Sequence, residues 1–515
     1  MGAFSRQIDI ILETNLKTMR YKLFAILLMA ACHTLQAKMV TTTFLPDSTR
    51  VLRNPLNGWV MYMGRTWDEN FWDKMGYDKM SVGDSVVRVS DYANTCYVRT
   101  SWSSLEPEEG QYAWQNPDSR ISRLFQSVLD RNMKLAFRIV VDSRDQGQNT
   151  PLYVKEAGAC GFQDPNNPSV WSPYPDDPVF QEKYAKFLKA LATAFNDPDK
   201  VDFIDAYGLG KWGEAHGVKY GDYSNKEKVF NWITDLYTKT FTKIPLIINY
   251  HRLVGDTISW SAPHERSQAL LEGAINKGYS LRHDAFGMTG YYEKWEKDFA
   301  EKWNFRRPII MEGGWITGAH HRYWRDPSGK YREGHPEDVR LGEYLDAKEA
   351  HVNMMDLRVN DETRSWFATS FDLVKRFVAE GGYRLYPSSV TVPDKLKAGA
   401  KDVTISSVWT NMGWGYCPTN IPQWNQKYKV AYALLQDGEV KAVLFDEKSN
   451  LSLWEKGHFS TSKVTLCSKE LKKGVYQWAV ALVDVTKENR PALEIAVDKS
   501  LLHNGWLILN NVSIH

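Results

Sequence analysis

Between residue 57 and about residue 380 the apolar positions of this chain alternate between two periods. SRISRLFQSVLDRN (119–132) spaces Ile121, Leu124, Phe125, Val128 and Leu129 three or four apart, as on one buried helix face. KLAFRIVV (134–141) follows as a strand. FQEKYAKFLKALATAF (180–195) repeats the helical spacing with Phe180, Tyr184, Phe187, Leu188 and Leu191, and VDFIDAYGLG comes next as a strand. A helix around KVFNWITDLYTKTF, the strand IPLIINY (244–250), a helix near 265–277 and a weaker strand near 279–287 continue the series. RPIIMEGGW (307–315), HVNMMDL (351–357) and the helix TRSWFATSFDLVKRFVAE (363–380) end it. With NGWVMYM (57–63) and ANTCYVRTSW (93–102) at the front, the strands number eight. Such alternation predicts an α/β fold with a parallel sheet, and eight units predict a (β/α)8 TIM barrel. An open doubly wound sheet is the alternative, but no GxGxxG follows any strand.

After GGYRLYPSSVTVPDKL the pattern breaks into short alternating runs such as KDVTISSVWTN, KYKVAYALL and GVYQWAVALVDV, separated by turn residues. This predicts a C-terminal antiparallel β-sandwich. At the other end, MRYK from Met19, the apolar LFAILLMAA and LQA ending at Ala37 follow the three-part plan of a secretory signal peptide, too short to span a bilayer. The expected organisation is an upstream extension and signal peptide over 1–37, a barrel over 38–382 and a sandwich over 383–515. Export to the periplasm, the cell surface or the medium follows, and Cys32 within LLMAAC resembles a lipoprotein cleavage box, which allows a lipid anchor. No later stretch is apolar enough to span a membrane.

Charge narrows the partners little: of 515 residues 24% are charged, with a net charge of +2, which favours neither nucleic acid nor an acidic partner. The 20 Trp and 26 Tyr supply core and also flat faces on which apolar ligand surfaces stack. Cys96, Cys160, Cys417 and Cys467 have no CxxC pair or zinc-like spacing, and Cys96 in its strand reads as a small buried hydrophobe. No cofactor is implied.

In a barrel of this type, function gathers where strands end at the C-terminal face. Those ends carry Trp59, Arg99, Trp102, Arg138, Trp212 with Glu214 and His216, Tyr250 with His251, His283 with Asp284, and Glu312 with Trp315. Glu214 follows the fourth strand in GLGKWGEAH, and Glu312 ends the seventh in PIIMEGG. Strands four and seven face each other across the barrel mouth, so their carboxylates can share a cleft. Cleavage of a glycosidic bond asks for such a pair: an acid for the leaving oxygen, and a carboxylate to attack or to activate water. The competing reading makes each Glu an ion-paired or surface residue.

Trp212 beside Glu214 is expected to raise its pKa by desolvation, and Arg99 or Arg138 to keep Glu312 ionised unless it pairs with a structural acid. Tyr292 in GYYEKW is a candidate to hydrogen-bond Glu312, with packing on the barrel rim as the alternative. Trp59, Trp102, Trp212 and Trp315 are candidate sugar-stacking faces; each one alone reads first as core, and four together at strand ends place at least two on a cleft. The long segments 142–178 and 315–338 shape the binding face. In the second, His320, His321, Arg322 and Arg325 suit either an acidic or sulfated sugar or a solvated charged loop.

These features resemble glycoside hydrolase clan A, retaining (β/α)8 enzymes with the acid on strand four and the nucleophile on strand seven. RTSWSSLEPEEGQYAW (99–114) is similar to the clan's strand-two segment, and PIIMEGG resembles its nucleophile strand. The resemblance extends over roughly residues 50–380 and implies Glu214 as general acid/base and Glu312 as nucleophile. With the sandwich, the chain also resembles a family of exported bacterial barrel proteins of unassigned function. Many clan members place Asn before the acid, where this chain has Gly213. GLGKWGE is similar to the strand-four segment of the inverting β-amylases, so inversion stays open beside retention. About 5–5.5 Å between carboxyls marks retention, and about 6.5–9.5 Å inversion.

Two rival classes remain. A metal-dependent barrel hydrolase would use His216, His251, His283 and Asp284, but the first strand lacks an HxH. A non-catalytic carbohydrate-binding barrel would keep the tryptophans and need neither glutamate. The C-terminal Trp409, Trp414 and Trp424 either bind glycan or dock the sandwich onto the barrel; docking is the favoured reading.

Overall fold

The computed structural model describes residues 37–63, 67–251, 266–317, 326–399, 403–457, 459–466, 471–488 and 490–515. The proposed leader with Cys32, the His320–Arg325 segment and Cys467 lie outside them.

Eight parallel strands close a barrel: β1 (Gly58–Met63), β2 (Ala93–Ser101), β3 (Lys134–Val140), β4 (Val201–Asp205), β5 (Leu246–Asn249), β6 (Tyr279–Phe286), β7 (Ile309–Gly313) and β8 (Met354–Asp356). Each pairs with its sequence neighbour, and β8 returns to β1 through Met354–Gly58 and Asp356–Val60. The helices form where the periodicity places them. Arg120–Leu129 starts at Ser119, whose Oγ accepts the Ser122 N–H at 3.0 Å, and it buries Leu124, Phe125 and Val128. It ends before residue 132, because Asn132 turns left-handed with φ 56°. Pro178–Phe195 is capped by Asp177 and lays Phe180, Tyr184, Phe187, Leu188 and Leu191 against the barrel.

Alternation along the strands sorts residues into an outer and an inner set. Trp59, Met61, Cys96, Phe137, Ile204 and Met311 belong to the layer between barrel and helices. Val60, Tyr62, Tyr97, Ala136, Phe203, Ile247, Ile310 and Met354 fill the barrel interior, in a buried cluster that continues into the core of the C-terminal region. Two residues further along several of these inner rows the side chain becomes polar: Arg99, Arg138, Asp205, Asn249, Glu312 and Asp356 follow Tyr97, Ala136, Phe203, Ile247, Ile310 and Met354. The barrel thus has an apolar floor and a charged upper layer toward the strands' C-terminal ends.

Two sheets make the C-terminal sandwich. One orders Met39–Thr43, Leu385–Pro393, Val403–Asn411 and Phe459–Leu466, all antiparallel, so the first strand among the described residues belongs to this sheet although it falls within the 38–382 range read as barrel. The other has seven strands built around Tyr428–Gln436, Gly474–Asp484 and Trp506–Ile514. It is antiparallel except where Lys395–Leu396 runs parallel to Trp506–Ile514. Trp414 docks onto the barrel layer, its Nε1–H donating to the Val352 carbonyl at 2.8 Å and its ring 5.2 Å from that of Tyr344. Trp409 instead stacks on Trp454 inside the sandwich. Pro198, Val201 and Pro245, at or just before strand starts, share a cavity with Trp424 and Tyr428. The sandwich therefore covers the N-terminal end of the barrel and leaves the other end open. Cys96 and Cys417 are buried thiols and Cys160 is exposed. No helix among the described residues is long and apolar enough to cross a membrane.

Candidate active site

The open end holds a cavity of about 1090 Å³ whose walls include Tyr62, Arg99, Asp145, Trp212, Glu214, Asp284, Glu312, Trp315 and Arg358. Glu214 reaches it through a tightly wound loop. The Lys211 N–H donates to the His216 carbonyl at 2.8 Å, and the Ala215 N–H to Leu209 at 2.9 Å. Trp212, Gly213 and Ala215 all have positive φ, at 60°, 74° and 62°. For Trp212 and Ala215 this is a strained conformation, on the order of 1 kcal/mol each. Trp212 is held in place by its N–H to Ser143 Oγ and its Nε1–H to Asp145 Oδ2, both 3.1 Å, and by the Lys211 ammonium 4.4 Å from its ring centroid. Gly213 is favoured by close packing as well as by φ. A Cβ there would sit 3.2 Å from Arg138 Cδ and 3.3 Å from the Gly208 Cα. The stem of Arg138 would thus crowd any side chain placed directly before the glutamate.

Arg138 does not reach Glu312. Its guanidinium pairs with Glu214, and its Nε donates to Asp205 Oδ2 at 2.8 Å. Burial by itself would push the Glu214 carboxyl up, but Arg138, His216 and Arg282 outweigh it and hold Glu214 well below the usual carboxylate range. This reverses the rise expected from Trp212, because a buried guanidinium in contact is a stronger influence than an indole at the rim. His216 Nε2 lies 3.6 Å from Glu214 Oε2, and its ring stacks on His251 at 4.6 Å. His251 Nε2–H donates to the Glu214 carbonyl at 2.7 Å, and burial followed by the charge of His216 depresses its pKa to about 3. Neither histidine lines the cavity; both back the loop that carries Glu214.

Glu312 is 1% exposed and ion-paired with Arg282 on one side and Arg358 on the other. Arg282 also lies 3.6 Å from Asp205, linking the two glutamates through a buried network. The chain beyond Glu312 is pinned from behind. The Gly314 N–H donates to Glu343, and those of Ile316 and Thr317 to Glu362, each at 2.9 Å. Arg340 bridges the two acids at 2.7 and 2.5 Å. Burial, opposed by Arg340, raises Glu343 to about 7. A side chain on Gly314 would collide with Met288. So held, Trp315 remains 43% exposed, with the Arg358 guanidinium 4.8 Å from its ring centroid.

Beneath them, burial raises Asp356 to about 8, against the pull of Arg282. A carboxyl raised in the fold contributes stability that is complete below its ordinary value of 3.8 and is lost as pH rises through about 8. Asp356→Asn removes this titration. The variant's unfolding midpoint is therefore expected to gain on that of the wild type as pH rises from 6 to about 9. A pH-independent difference in chemical denaturation would contradict the assignment.

Several residues read as cleft-lining lie elsewhere. Trp59 has the outward parity of β1, edges onto Trp366 and Phe377, and donates to the Val374 carbonyl. Trp102 begins a short helix, donates to Glu106 at 2.8 Å and packs among Tyr153, Phe180, Tyr184 and Phe187. Tyr250 is buried against Phe299 and His283. Tyr292 meets the Tyr250 hydroxyl at 3.4 Å instead of Glu312, and it is Tyr291 that lines the cavity. His283 turns Nδ1 to the Asp284 carbonyl and packs on Tyr250 and Tyr292. Among the described residues no three His, Cys, Asp or Glu side chains converge as a metal site. Tyr62, Asp205, Arg282 and Arg358 were not singled out from sequence. An arginine inside an apolar strand such as YSLRHDAF is the signal that points to Arg282, since buried arginines require acids.

The chain matches no family model and no curated protein. It is similar to the solved structure of xylanase B from Clostridium stercorarium F9, at 14% identity and TM-score 0.34, over 61% of this chain and 88% of that one. Native xylanase 10B from Thermotoga maritima gives 11% and 0.35, over 58% and 82%. The lactosyl-enzyme intermediate of endo-glycoceramidase II from Rhodococcus sp. gives 16% and 0.36, over 82% and 99%. At such scores these likenesses carry no argument about chemistry, and the barrel rests on its own strand pairing.

Proposed function

We propose that the protein is a glycoside hydrolase, exported by its N-terminal leader, that cleaves a poly- or oligosaccharide with Glu214 and Glu312. The observation that carries this reading is that both glutamates line one cavity at the C-terminal end of the barrel, whose walls also carry Trp212 and Trp315. Arg282 and Arg358 suit Glu312 to act as an anion, attacking the anomeric carbon while the bond to the departing sugar oxygen breaks. That oxygen takes a proton from Glu214. Water then gives a proton back to Glu214 and displaces Glu312, leaving a product of retained configuration. The second step suits a Glu214 held ionised. The first requires that Glu214 take up a proton before the bond breaks.

The same ion pairs favour a second reading, a carbohydrate-binding barrel in which both glutamates are structural partners of arginine. Incubation with plant, host and microbial glycans separates the two. New reducing ends support hydrolysis, whereas saturable binding without products across the panel supports the binding protein.

A further inference from the structure

One wall of the cavity presents hydrogen-bond donors without acceptors. Tyr62 ends its inward row on β1, Arg99 lies on β2 and Arg358 just beyond β8, three adjacent strands. The Tyr62 ring lies between the two guanidiniums, 5.7 Å from Arg99 and 5.4 Å from Arg358, centroid to Cζ. Tyr62 is 2% exposed and Arg358 6%, and both line the cavity. Tyr62 Oη, Arg99 Nε and Arg358 Nε are buried atoms that find no hydrogen-bond partner among the described residues.

Charge counting isolates Arg99. In the upper layer Arg138, Arg282 and Arg358 are joined in one network of ion pairs with Asp205, Glu214 and Glu312, and the remaining acid of the layer, Asp356, interacts with Arg282. Arg99 forms no ion pair with any described residue. The other cavity acids are engaged elsewhere: Asp145 beside Lys211 and Trp212, Asp284 beside His283 on β6, across the barrel from β2. A buried donor left without an acceptor costs its full desolvation, so a wall of three fits an acceptor-rich group that arrives with a ligand. Guanidinium forks fit planar and tetrahedral oxyanions in particular.

We propose that the wall of β8, β1 and β2 is a subsite for an anionic substituent on the sugar, a carboxylate or a sulfate ester, with Arg99 as the ion-pairing group and Tyr62 and Arg358 as neighbouring donors. This rests on the carbohydrate reading of the cavity and adds the substrate class to it. A neutral sugar would leave the Arg99 charge unmatched; an acidic one completes the wall.

The test uses matched ligands on the full chain: galacturonate and glucuronate oligosaccharides beside their carboxyl-reduced counterparts, and sulfated disaccharides beside desulfated ones. Affinity, and kcat/KM wherever product forms, are measured for wild type, Arg99→Met, Arg99→Lys and Tyr62→Phe. Arg99 has no ion-pair partner among the described residues to lose, so its variants are expected to fold, which circular dichroism verifies. The expected result is at least tenfold preference for one acidic member over its neutral partner. That preference should be lost in Arg99→Met, partly kept in Arg99→Lys and reduced in Tyr62→Phe, and should weaken with salt. Preference confined to the uronate pair or to the sulfate pair identifies which oxyanion is read. Equal use of acidic and neutral members, or a preference untouched by Arg99→Met, overturns the subsite even if glycans are cleaved. Arg99-dependent acidic binding with no product upholds the subsite while overturning the hydrolase. Absence of binding by every acidic ligand overturns the subsite.

Discussion

Arg138→Met is expected to destabilise the protein by about 3–5 kcal/mol, the scale of breaking a buried ion pair from one side. Methionine fills the stem's volume, so the loss is one of charge. Asp205 and Glu214, 1% and 5% exposed, would keep their carboxylates with Arg282, 3.6 Å from Asp205, as the nearest remaining guanidinium. Against a typical stability of about 5–15 kcal/mol this is a large fraction. The pH dependence gives the sign. Glu214 is depressed in the native protein, so its pairing contributes stability above the ordinary value of 4.5 and loses it as pH falls through the folded pKa. The gap between wild type and variant should therefore close on acidification. Adding Glu214→Gln should recover part of the loss, because the uncompensated charge then disappears. Equal denaturant midpoints for wild type and Arg138→Met at pH 7 would contradict the network.

Glu214→Gln is expected to lower kcat by about 10²–10⁴-fold on a glycan, the usual contribution of a positioned acid/base. Glutamine keeps the shape and cannot give up a proton. The chemistry of the leaving group separates this role from a structural one. A nitrophenol departs without protonation, so the first step on a nitrophenyl glycoside should be nearly unaffected, and added azide should restore turnover by replacing the activated water. A uniform loss on both substrates, without rescue, would make Glu214 a structural partner of Arg138.

The barrel was legible because its signals are local. Helical spacing in 119–132 and 180–195 and the apolar strands between them are set by which face is buried, and eight such units leave few arrangements. Glu214 and Glu312 were legible as strand-end acids beside glycine and tryptophan. What sequence did not reveal was parity and partnership. Trp59 and Val60 are neighbours, yet one faces the helices and the other the barrel interior, and a one-residue choice of register decides which. The matching of Arg138 to Glu214, and of Arg282 and Arg358 to Glu312, depends on how deep each side chain sits in the closed barrel. Burial next to a guanidinium reversed the expected shift of Glu214 for the same reason. The place of Met39–Thr43 in the sandwich was not legible, because its partner, Leu385–Pro393, lies more than three hundred residues away in sequence.

The most direct measurement is a time course of reducing-end release from a glycan panel by wild type beside Glu312→Gln, with folding of both checked by circular dichroism. Glutamine is isosteric but a poor nucleophile, and it leaves Arg282 and Arg358 with no anion to orient. Product is expected from the wild-type protein and a rate at least about a thousandfold lower from the variant, as for loss of a group acting on the transition state. Product formed at the wild-type rate by Glu312→Gln would contradict this expectation.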